Sequence, residues 1–418
     1  MQIFEQVESQ VRSYIRAFPT VFAKGKGATL YDEQGKAYID FFAGAGTLNY
    51  GHNNEAITTA MIDYLQNDGV VHGLDMGTSA KKKFLQTFSE TILAPRNLNY
   101  KIQFTGPTGT NCVETALKLA RRVKGRSNVV SFTNGFHGLT MGATAVTGNK
   151  NYRHESYINR SNVSFMPYDG YLGPDFNTIN YLRKALEDNS SGLDIPAAVI
   201  VETVQAEGGV NVASFEWLRQ LEQVCRDHDI LLIIDDIQVG NGRSGDFFSF
   251  EAAGISPDMV TVSKSIGGGL PMAILLLKPE LDAWKPGEHT GTFRGNNLAF
   301  VASTAAIATY WQNDAFSQSV KRKSSILKDE LEKTAQEFPS LQANVRGRGL
   351  LYGLEIPAAG FAKKVSQRAF EKGLVIELSG ARSQVVKFLP PLIIEEDALH
   401  KGIEIVNEAI AETVNGNQ

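Results

Sequence analysis

The sequence predicts an α/β fold: a large domain with a mostly parallel, doubly wound sheet, joined to a smaller α+β domain. Two observations support this prediction. Between about residues 50 and 290, helical stretches alternate with short apolar runs, as in parallel sheets covered by helices on both faces. From about residue 310, a long helical stretch precedes several strand-like runs and a final helix, which favours a second unit.

The N-terminal part of the chain is expected to contribute a helix and a hairpin. Residues 1–18 are polar and read as an amphipathic helix. Residues 28–42 contain two β-rich runs around a turn signal at residues 32–35. We expect this N-terminal segment, residues 1–50, to join the small domain.

The large domain is assigned to residues 51–300, where the alternation is regular, and the small domain to residues 301–418. The expected helices of the large domain span residues 55–68, 78–93, 110–122 and 215–228, and its expected strands span residues 101–104, 128–131, 197–202, 230–235 and 259–263. In the small domain we expect a helix to about residue 336, strands near residues 345–356, 374–378 and 385–389, and a helix from Glu395.

Composition excludes several classes of protein. The 418 residues carry a formal net charge of −4 at pH 7, which argues against a globally basic nucleic-acid-binding protein. The apolar runs are far shorter than the roughly 20 residues that a membrane span needs. Cys112 and Cys225 are too few for a disulfide framework and favour the cytoplasm. The scattered histidines form no metal-binding motif, so we expect no metal.

Two glycine-rich segments imitate nucleotide-binding motifs. Residues 240–245 fit G-x-G-x-x-G, but they lead into the aromatic segment 246–250 instead of opening a helix. A dinucleotide site also needs an acidic residue about 20 positions later, so this interpretation is disfavoured. Residues 106–110 lack the Gly-Lys-Ser/Thr ending of a P-loop, and no triphosphate site is expected there.

A lysine and an aspartate follow two of the expected strands. Lys264 stands at the end of an apolar run and before three glycines at residues 267–269. Most lysines are solvated, but one at the carboxyl edge of an α/β sheet occupies the usual ligand position and can form a Schiff base. Asp235 ends another apolar run. It is either a turn residue or a buried charge that needs a cationic partner, such as a protonated pyridine nitrogen.

Two further features complete a pattern. Residues 108–111 open a helix, where small and hydroxyl residues either cap the helix or bind phosphate. Phe136, between Gly135 and His137, is either a core residue or a plate that stacks on a planar ring. Each feature has an ordinary structural explanation by itself. Together they supply a Schiff-base lysine, a pyridinium partner, a phosphate cradle and a ring platform, which pyridoxal 5′-phosphate requires.

At this point the chain resembles the class III aminotransferases of fold type I. The shared motifs lie at residues 108–121, 235–245 and 264–271, and the matching stretches span nearly the whole chain. The resemblance implies that Lys264 binds pyridoxal phosphate as a Schiff base and moves the substrate proton. It also implies that Asp235 pairs with the pyridine nitrogen.

The same resemblance implies the other cofactor contacts and a shared active site. Phe136 is expected to stack on the ring, with His137 nearby, and Gln238 to contact the ring oxygen. Thr292 is expected to reach the phosphate bound by a second subunit, which makes the protein at least a homodimer. The remaining expected contacts are Thr108, Gly109, Thr110 and Glu202.

Within this family, the chain is most similar to the diaminobutyrate–2-oxoglutarate aminotransferases of the ectoine-biosynthesis type. Residues 11–22, 40–52, 71–76 and 284–296 carry this similarity. It implies transfer of the amino group of L-glutamate to L-aspartate β-semialdehyde, which yields L-2,4-diaminobutyrate and 2-oxoglutarate. Neither nucleic acid nor membrane is an expected partner.

Departures from other members of the family limit the substrate assignment. Leu139 and Lys387 stand where ornithine-type enzymes usually carry arginines, and Ala45 stands where they carry a tyrosine. Lysine keeps a charge but lacks the bidentate fork of arginine. Glu207 and Lys387 are expected to form a switchable pair that admits glutamate. The alternatives are another diaminobutyrate pathway (siderophore, polyamine or peptide), an ω-aminotransferase for ornithine or 4-aminobutyrate, an aminomutase, and a non-catalytic or nucleotide-binding protein.

Overall fold

The computed structural model describes residues 1–157 and 161–416. Its strands, numbered β1 to β17 in chain order, are Phe22–Lys26, Thr29–Asp32, Ala37–Asp40, Lys101–Phe104, Val129–Phe132, Val163–Met166, Ala198–Val201, Val204–Gln205, Asn211–Val212, Leu231–Asp235, Met259–Val262, Ile274–Leu277, Asn344–Arg348, Leu351–Glu355, Leu374–Val375, Glu377–Ser379 and Val385–Phe388. Its α-helices, α1 to α13, are Gln2–Val7, Tyr14–Ala17, Ala43–Gly46, Glu55–Gln66, Ser79–Thr87, Gly109–Lys124, Met141–Val146, Thr178–Glu187, Phe215–Asp227, Asn297–Tyr310, Ala315–Glu337, Phe361–Glu371 and Glu396–Asn415.

The central sheet has the strand order β4-β12-β11-β10-β7-β5-β6. Only β12 runs against its neighbours, because β10, β7, β5, β6 and β11 pair in parallel and β12 is antiparallel to both β11 and β4. Alternate side chains of one strand pack on opposite faces: Ile234 joins one core cluster and Ile233 another. Burial on both faces explains the continuous apolar runs. The predicted α/β class with a mostly parallel, doubly wound sheet is confirmed.

The direction of these strands decides where the functional residues can meet. Strands β4, β5, β7, β10 and β11 all point the same way, so their carboxyl ends lie at one edge of the sheet. Helix α6 follows β4, Asp235 ends β10, and Lys264 follows β11 at two residues' distance. Ligands of open α/β sheets bind at this edge.

A second set of strands involves both ends of the chain. The hairpin β2–β3 pairs with β15 in parallel, through Leu374 opposite Ile39. Strands β13, β14, β17 and β16 form a separate antiparallel sheet. Helices α11, α12 and α13 cover these strands through a core cluster that includes Leu327, Val365 and Val406.

Two helix predictions need correction. The single helix expected over residues 1–18 is wrong, because the segment forms α1 and α2 with an irregular stretch between them. No residue of either short helix is buried, so packing does not supply the free energy that a longer helix needs. The helix expected over residues 78–93 ends as an α-helix at Thr87 and continues as a π-helical segment, Phe88–Leu93.

The G-x-G-x-x-G segment forms turns and does not open a helix, as expected from its sequence. Its Arg243 is fully buried. The guanidinium donates hydrogen bonds to Leu350 O at 2.9 Å, Pro390 O at 2.5 Å and Asn49 Oδ1 at 2.6 Å. Arg243 therefore ties this turn to three distant segments of the chain.

Replacing Arg243 with methionine is expected to destabilise the fold by about 3 kcal/mol, because three buried acceptors lose their donor. Guanidinium-induced unfolding of both proteins measures the difference. Arg226→Met is the matched control: Arg226 pairs with Glu222 on the surface, and its loss should cost less than about 1 kcal/mol. Equal losses in the two variants would contradict the role of Arg243.

Within residues 1–157 and 161–416, no helix is long and apolar enough to cross a membrane. The same residues contain no group of three or more His, Cys, Asp or Glu side chains that could hold a metal ion. Cys112 and Cys225 are both free and buried.

Candidate active site

A cavity of about 230 Å³ lies at the carboxyl edge of the central sheet. Its lining includes every residue predicted for the site except Lys387 and Thr292: Thr108, Gly109, Thr110, Phe136, His137, Glu202, Glu207, Asp235, Gln238 and Lys264. These residues come from widely separated parts of the sequence. Most of them meet because they end or follow a strand of the central sheet whose carboxyl end points to this edge, whereas Glu207 follows β8 of the two-stranded sheet β8–β9.

Lys264 occupies a strained position directly after β11. Its φ of 54° lies in the left-handed region, which is costly for a residue with a side chain and is concentrated at functional sites. Its Nζ donates a hydrogen bond to Ala45 O at 2.8 Å. Burial lowers the pKa of Lys264 to about 8, against the opposing effect of the Glu207 charge. A larger fraction of the amine than in an ordinary lysine is therefore in its neutral, nucleophilic form near neutral pH.

Asp235 is a buried carboxylate with a defined orientation. Its Oδ2 lies 2.7 Å from Nδ1 of His137. Its Oδ1 accepts hydrogen bonds from Thr261 Oγ1 at 3.0 Å and from the amide of Ile237 at 3.2 Å. The backbone amide of His137 donates to Thr147 Oγ1 at 3.0 Å, which fixes the imidazole segment in turn. This network holds a negative charge at the floor of the cavity.

Glu202 is a second buried carboxyl group beside this network. Its Oε2 accepts a hydrogen bond from the amide of Phe136 at 3.0 Å and lies 4.0 Å from His137 Nε2. Burial, together with the nearby charge of Asp235, raises the pKa of Glu202 well above its usual range. The carboxyl group positions the Phe136 backbone. The Phe136 ring contacts Tyr152 edge to face, with 5.4 Å between centroids.

The N-terminus of α6 forms one wall of the cavity. The first amides of a helix have no partner inside the helix and attract anions. The Thr110 hydroxyl lies 2.7 Å from Thr140 Oγ1, and Asn111 Oδ1 accepts from Thr108 Oγ1 at 2.8 Å. Gly138 packs so closely that a Cβ there would lie 2.4 Å from Thr110 Oγ1. Only a residue without a side chain fits at position 138, beside the start of α6. This helix N-terminus is suited to bind a phosphate.

The carbonyl of Ala45 is a contact that sequence reasoning missed. It accepts hydrogen bonds from Lys264 Nζ and from Gln238 Nε2, both at 2.8 Å. Ala45 has a φ of 56° and turns this carbonyl into the site. The sequence signal for this contact is the glycine-rich run around Ala45, because glycines on both sides of a residue favour an irregular backbone.

Lys387 lies behind the cavity between two glutamates. Its Nζ is 2.7 Å from Glu207 Oε1 and 2.8 Å from Glu377 Oε1. Burial disfavours the charge on Lys387, but the two carboxylates outweigh it and raise its pKa. Burial likewise opposes ionisation of Glu207, yet Lys387 and Lys264 lower its pKa to about 2. The expected contact between Glu207 and Lys387 is present, whereas Glu377 was not predicted.

Two residues of the sequence analysis stand apart from this cavity. Thr292 begins the short helical turn Thr292–Gly295 and is exposed. Leu139 is 56% exposed. The chain described here does not by itself bring Thr292 to the site.

The residues of the cavity fit pyridoxal 5′-phosphate. The lining of the cavity combines a lysine amine, a buried carboxylate, a helix N-terminus and a phenylalanine ring. The amine can react with the aldehyde of the cofactor, and the carboxylate can pair with its basic ring nitrogen. The helix N-terminus can bind its phosphate, and the phenylalanine ring can stack on its aromatic plane. Thr108, Gly109 and Thr110 would hold the phosphate, Asp235 the ring nitrogen and Lys264 the aldehyde carbon.

The sequence and the fold are similar to those of known proteins. Residues 12–410 match the family Aminotransferase class-III. The diaminobutyrate–2-oxoglutarate transaminase of Wolinella succinogenes is 68% identical over 99% of this chain and 97% of its own length. The transaminase of the same name from Bordetella parapertussis is 57% identical over 100% of this chain and 97% of its own length. The solved ornithine aminotransferase of Toxoplasma gondii, described with PLP at partial occupancy, superposes with a TM-score of 0.84 at 24% identity, covering 99% of this chain and 94% of its own. This chain belongs to the class-III aminotransferases.

Proposed function

We propose that this protein transfers the amino group of L-glutamate to L-aspartate β-semialdehyde, with pyridoxal 5′-phosphate as cofactor. The products are L-2,4-diaminobutyrate and 2-oxoglutarate. The observation that carries the proposal is the single cavity that combines Lys264, Asp235 and the start of α6. The identity of 68% to a diaminobutyrate–2-oxoglutarate transaminase over almost the whole chain supports the substrates.

Lys264 and Asp235 would contribute to different steps of the reaction. Pyridoxal phosphate, when bound, supplies an electron sink for the negative charge that develops at the substrate carbon. The Nζ of Lys264 takes up the proton from that carbon and returns it after the charge has moved. Its pKa of about 8 suits a base that must lose and regain a proton near neutral pH. Asp235, whose orientation is fixed by His137 at 2.7 Å, would keep the ring nitrogen protonated, because a carboxylate favours the charged form of a basic nitrogen beside it.

The pair formed by Glu207 and Lys387 would let one site accept two kinds of substrate end. The reacting aldehyde end of aspartate semialdehyde carries no charge, and Glu207 neutralises Lys387 while that substrate reacts. L-Glutamate reacts next to its α-carboxylate. Glu207 then turns aside, and the carboxylate binds Lys387. Leu139 and Ala45 replace the side chains that ornithine-type enzymes use, which disfavours ornithine as the natural substrate.

Glu207→Ala is expected to change the two half-reactions unequally. Without the Glu207 carboxylate, Lys387 keeps Glu377 as its partner but can also attract the α-carboxylate of diaminobutyrate into an unproductive orientation. That half-reaction should therefore slow about tenfold, or about 1.4 kcal/mol. The glutamate half-reaction should change less. Stopped-flow absorbance measures each half-reaction separately. Glu216→Ala, which removes an exposed carboxylate on α9, is the control, and unchanged rates in both half-reactions of Glu207→Ala would exclude the pair's role.

We further propose a homodimer in which Thr292 contacts the phosphate bound by the partner subunit. A patch of exposed apolar side chains supports a subunit contact near Thr292. Phe293 is 65% exposed and lies against His72, with 5.5 Å between ring centroids. Val70, Val71 and Met76 are also more than half exposed. Sedimentation at the mass of one chain would contradict this assembly.

The pathway and the compartment are parts of the same proposal. The ectoine-type motifs in the sequence support ectoine biosynthesis as the use of the product, with siderophore, polyamine or peptide synthesis as the alternatives. The two free, buried thiols are compatible with a reducing cytoplasm.

The visible spectrum of the cofactor-loaded protein tests the reaction directly. Adding L-2,4-diaminobutyrate without a keto acid should bleach the yellow band, and 2-oxoglutarate should restore it. A protein that is coloured but does not respond would contradict these substrates and direct the search to ornithine and 4-aminobutyrate. An aminomutase would convert its substrate without any keto acid. A protein that takes up no cofactor would overturn the whole proposal.

A further inference from the structure

Beside the cavity, two glutamates share one buried lysine. Glu377 and Lys387 are direct partners in the ladder between β16 and β17, so the backbone holds them together. The Lys387 side chain is fully buried and that of Glu377 is 4% exposed, whereas that of Glu207 is 24% exposed. The cluster therefore contains one cation and two carboxyl groups, and its Lys387 and Glu377 side chains are almost completely buried.

A substrate carboxylate that binds Lys387 brings a third carboxyl group to this one cation. Glu207 lines the active-site cavity and would turn aside within it, but it would remain nearby. Glu377 is fixed in its strand. Three anions around one buried ammonium group would leave two charges uncompensated, which is costly where the surroundings are largely desolvated. The cluster is better balanced when one carboxylate is neutralised by a proton.

Of the two glutamates, Glu377 is the better proton acceptor. Burial raises the pKa of Glu377, and the charge of Glu207 adds to this effect against the opposing charge of Lys387. The pKa of Glu207 is instead lowered to about 2, as described above. The Tyr14 hydroxyl donates a hydrogen bond to Glu377 Oε2 at 3.2 Å and can stabilise either form of the carboxyl group.

We propose that Glu377 is a specificity-determining residue of the carboxylate subsite, because it takes up one proton when a dicarboxylate substrate binds at Lys387. This inference rests on the proposed function and assigns the second carboxylate a purpose within it. L-Glutamate and 2-oxoglutarate bring net negative charge to the cluster and would bind with proton uptake. Diaminobutyrate, whose unreacted end carries both an ammonium and a carboxylate group, would not. The protonation state of Glu377 would therefore differ between the two classes of substrate.

The sign of the pH dependence follows from this linkage. A ligand that binds together with a proton binds more weakly as pH rises, by up to about tenfold per pH unit for one proton. The other ionisable groups around Glu377 belong to several elements. Lys264 acts on it across the active-site cavity. On its far side, Glu377 lines a second cavity, of about 550 Å³, together with Arg12, Arg16 and Lys363. This second cavity gives the proton a route to solvent.

Calorimetric titration of the holoenzyme with glutarate tests the proposal without any turnover. Glutarate has both carboxylates but no amino or keto group, so it binds and does not react. Titrations in two buffers with different ionisation enthalpies count the protons taken up. We expect the wild-type protein to take up as much as one proton per site. Glu377→Gln should take up none and bind glutarate with an affinity that no longer depends on pH.

A matched control and two contrary outcomes complete the design. Glu251→Gln replaces a half-buried carboxylate paired with Arg96, away from the site, and should keep the wild-type proton count. Proton uptake that persists in Glu377→Gln would overturn the proposal. A proton count of zero in the wild-type protein would also overturn it, and that measurement does not depend on the folding of any variant. The test is separate from that of the proposed function: diaminobutyrate can bleach the holoenzyme even if glutarate binds without a proton.

Discussion

Replacing Lys264 with alanine is expected to abolish both half-reactions, with rates at least about four orders of magnitude lower. The amine has two duties that no neighbour can assume. It is the nucleophile that would hold the cofactor, and it is the base that would move the substrate proton. Ala45 O accepts a hydrogen bond from the amine and can orient it, but a carbonyl oxygen cannot act as the nucleophile or the base in its place. Burial lowers the pKa of Lys264 to about 8, which favours both roles near neutral pH.

Borohydride reduction followed by peptide mapping checks the covalent duty independently of rate. The cofactor should be fixed to the peptide that contains Lys264, and Lys264→Ala should lose this attachment while still binding the phosphate. Lys323 provides a strict comparison, because burial also lowers its pKa to about 8. Its Nζ donates to Leu392 O and Ile394 O, away from the cavity. Label on Lys323, or label that survives in Lys264→Ala, would contradict the assignment.

The position of Lys264 was predictable from the sequence because strand ends are visible in it. Asp235 closes an apolar run and Lys264 follows another. In a parallel sheet the carboxyl ends of such runs lie at one edge, so their meeting can be predicted without any knowledge of the tertiary structure. The central sheet, and the residues that converge on its edge, follow from local patterns for this reason. The roles assigned to these residues stay predictions that the experiments above test.

Glu377 escaped prediction because its significance depends on pairing between strands. In the sequence, Glu377 is an acidic residue between two apolar neighbours, at positions 376 and 378. No local pattern indicates that Lys387, ten positions later, is its partner. Only the register of β16 against β17 brings the two side chains together. The helix expected over residues 1–18 failed for a related reason. Its polar and apolar pattern is local, whereas a helix of that length needs a surface on which to bury its apolar face.

Replacing Asp235 with asparagine is expected to slow both half-reactions by about two to three orders of magnitude. Asparagine keeps the shape and one acceptor, so the hydrogen bonds from Thr261 and Ile237 to Oδ1 can persist. What disappears is the negative charge beside His137 at the floor of the cavity. Without that charge the ring nitrogen of the cofactor would lose its proton at neutral pH, and the electron sink would weaken.

The adjacent residue supplies a control that separates charge from burial. Asp236 is also fully buried, and its carboxylate accepts from the amide of Ser249 at 3.2 Å, outside the lining of the cavity. Burial raises the pKa of Asp236 to about 7, so the group is partly neutral at neutral pH before any substitution. Asp236→Asn should therefore leave the visible spectrum and both rates within about a factor of three of wild type. Equal losses in Asp235→Asn and Asp236→Asn would show that packing, not the charge under the ring nitrogen, sets the rate.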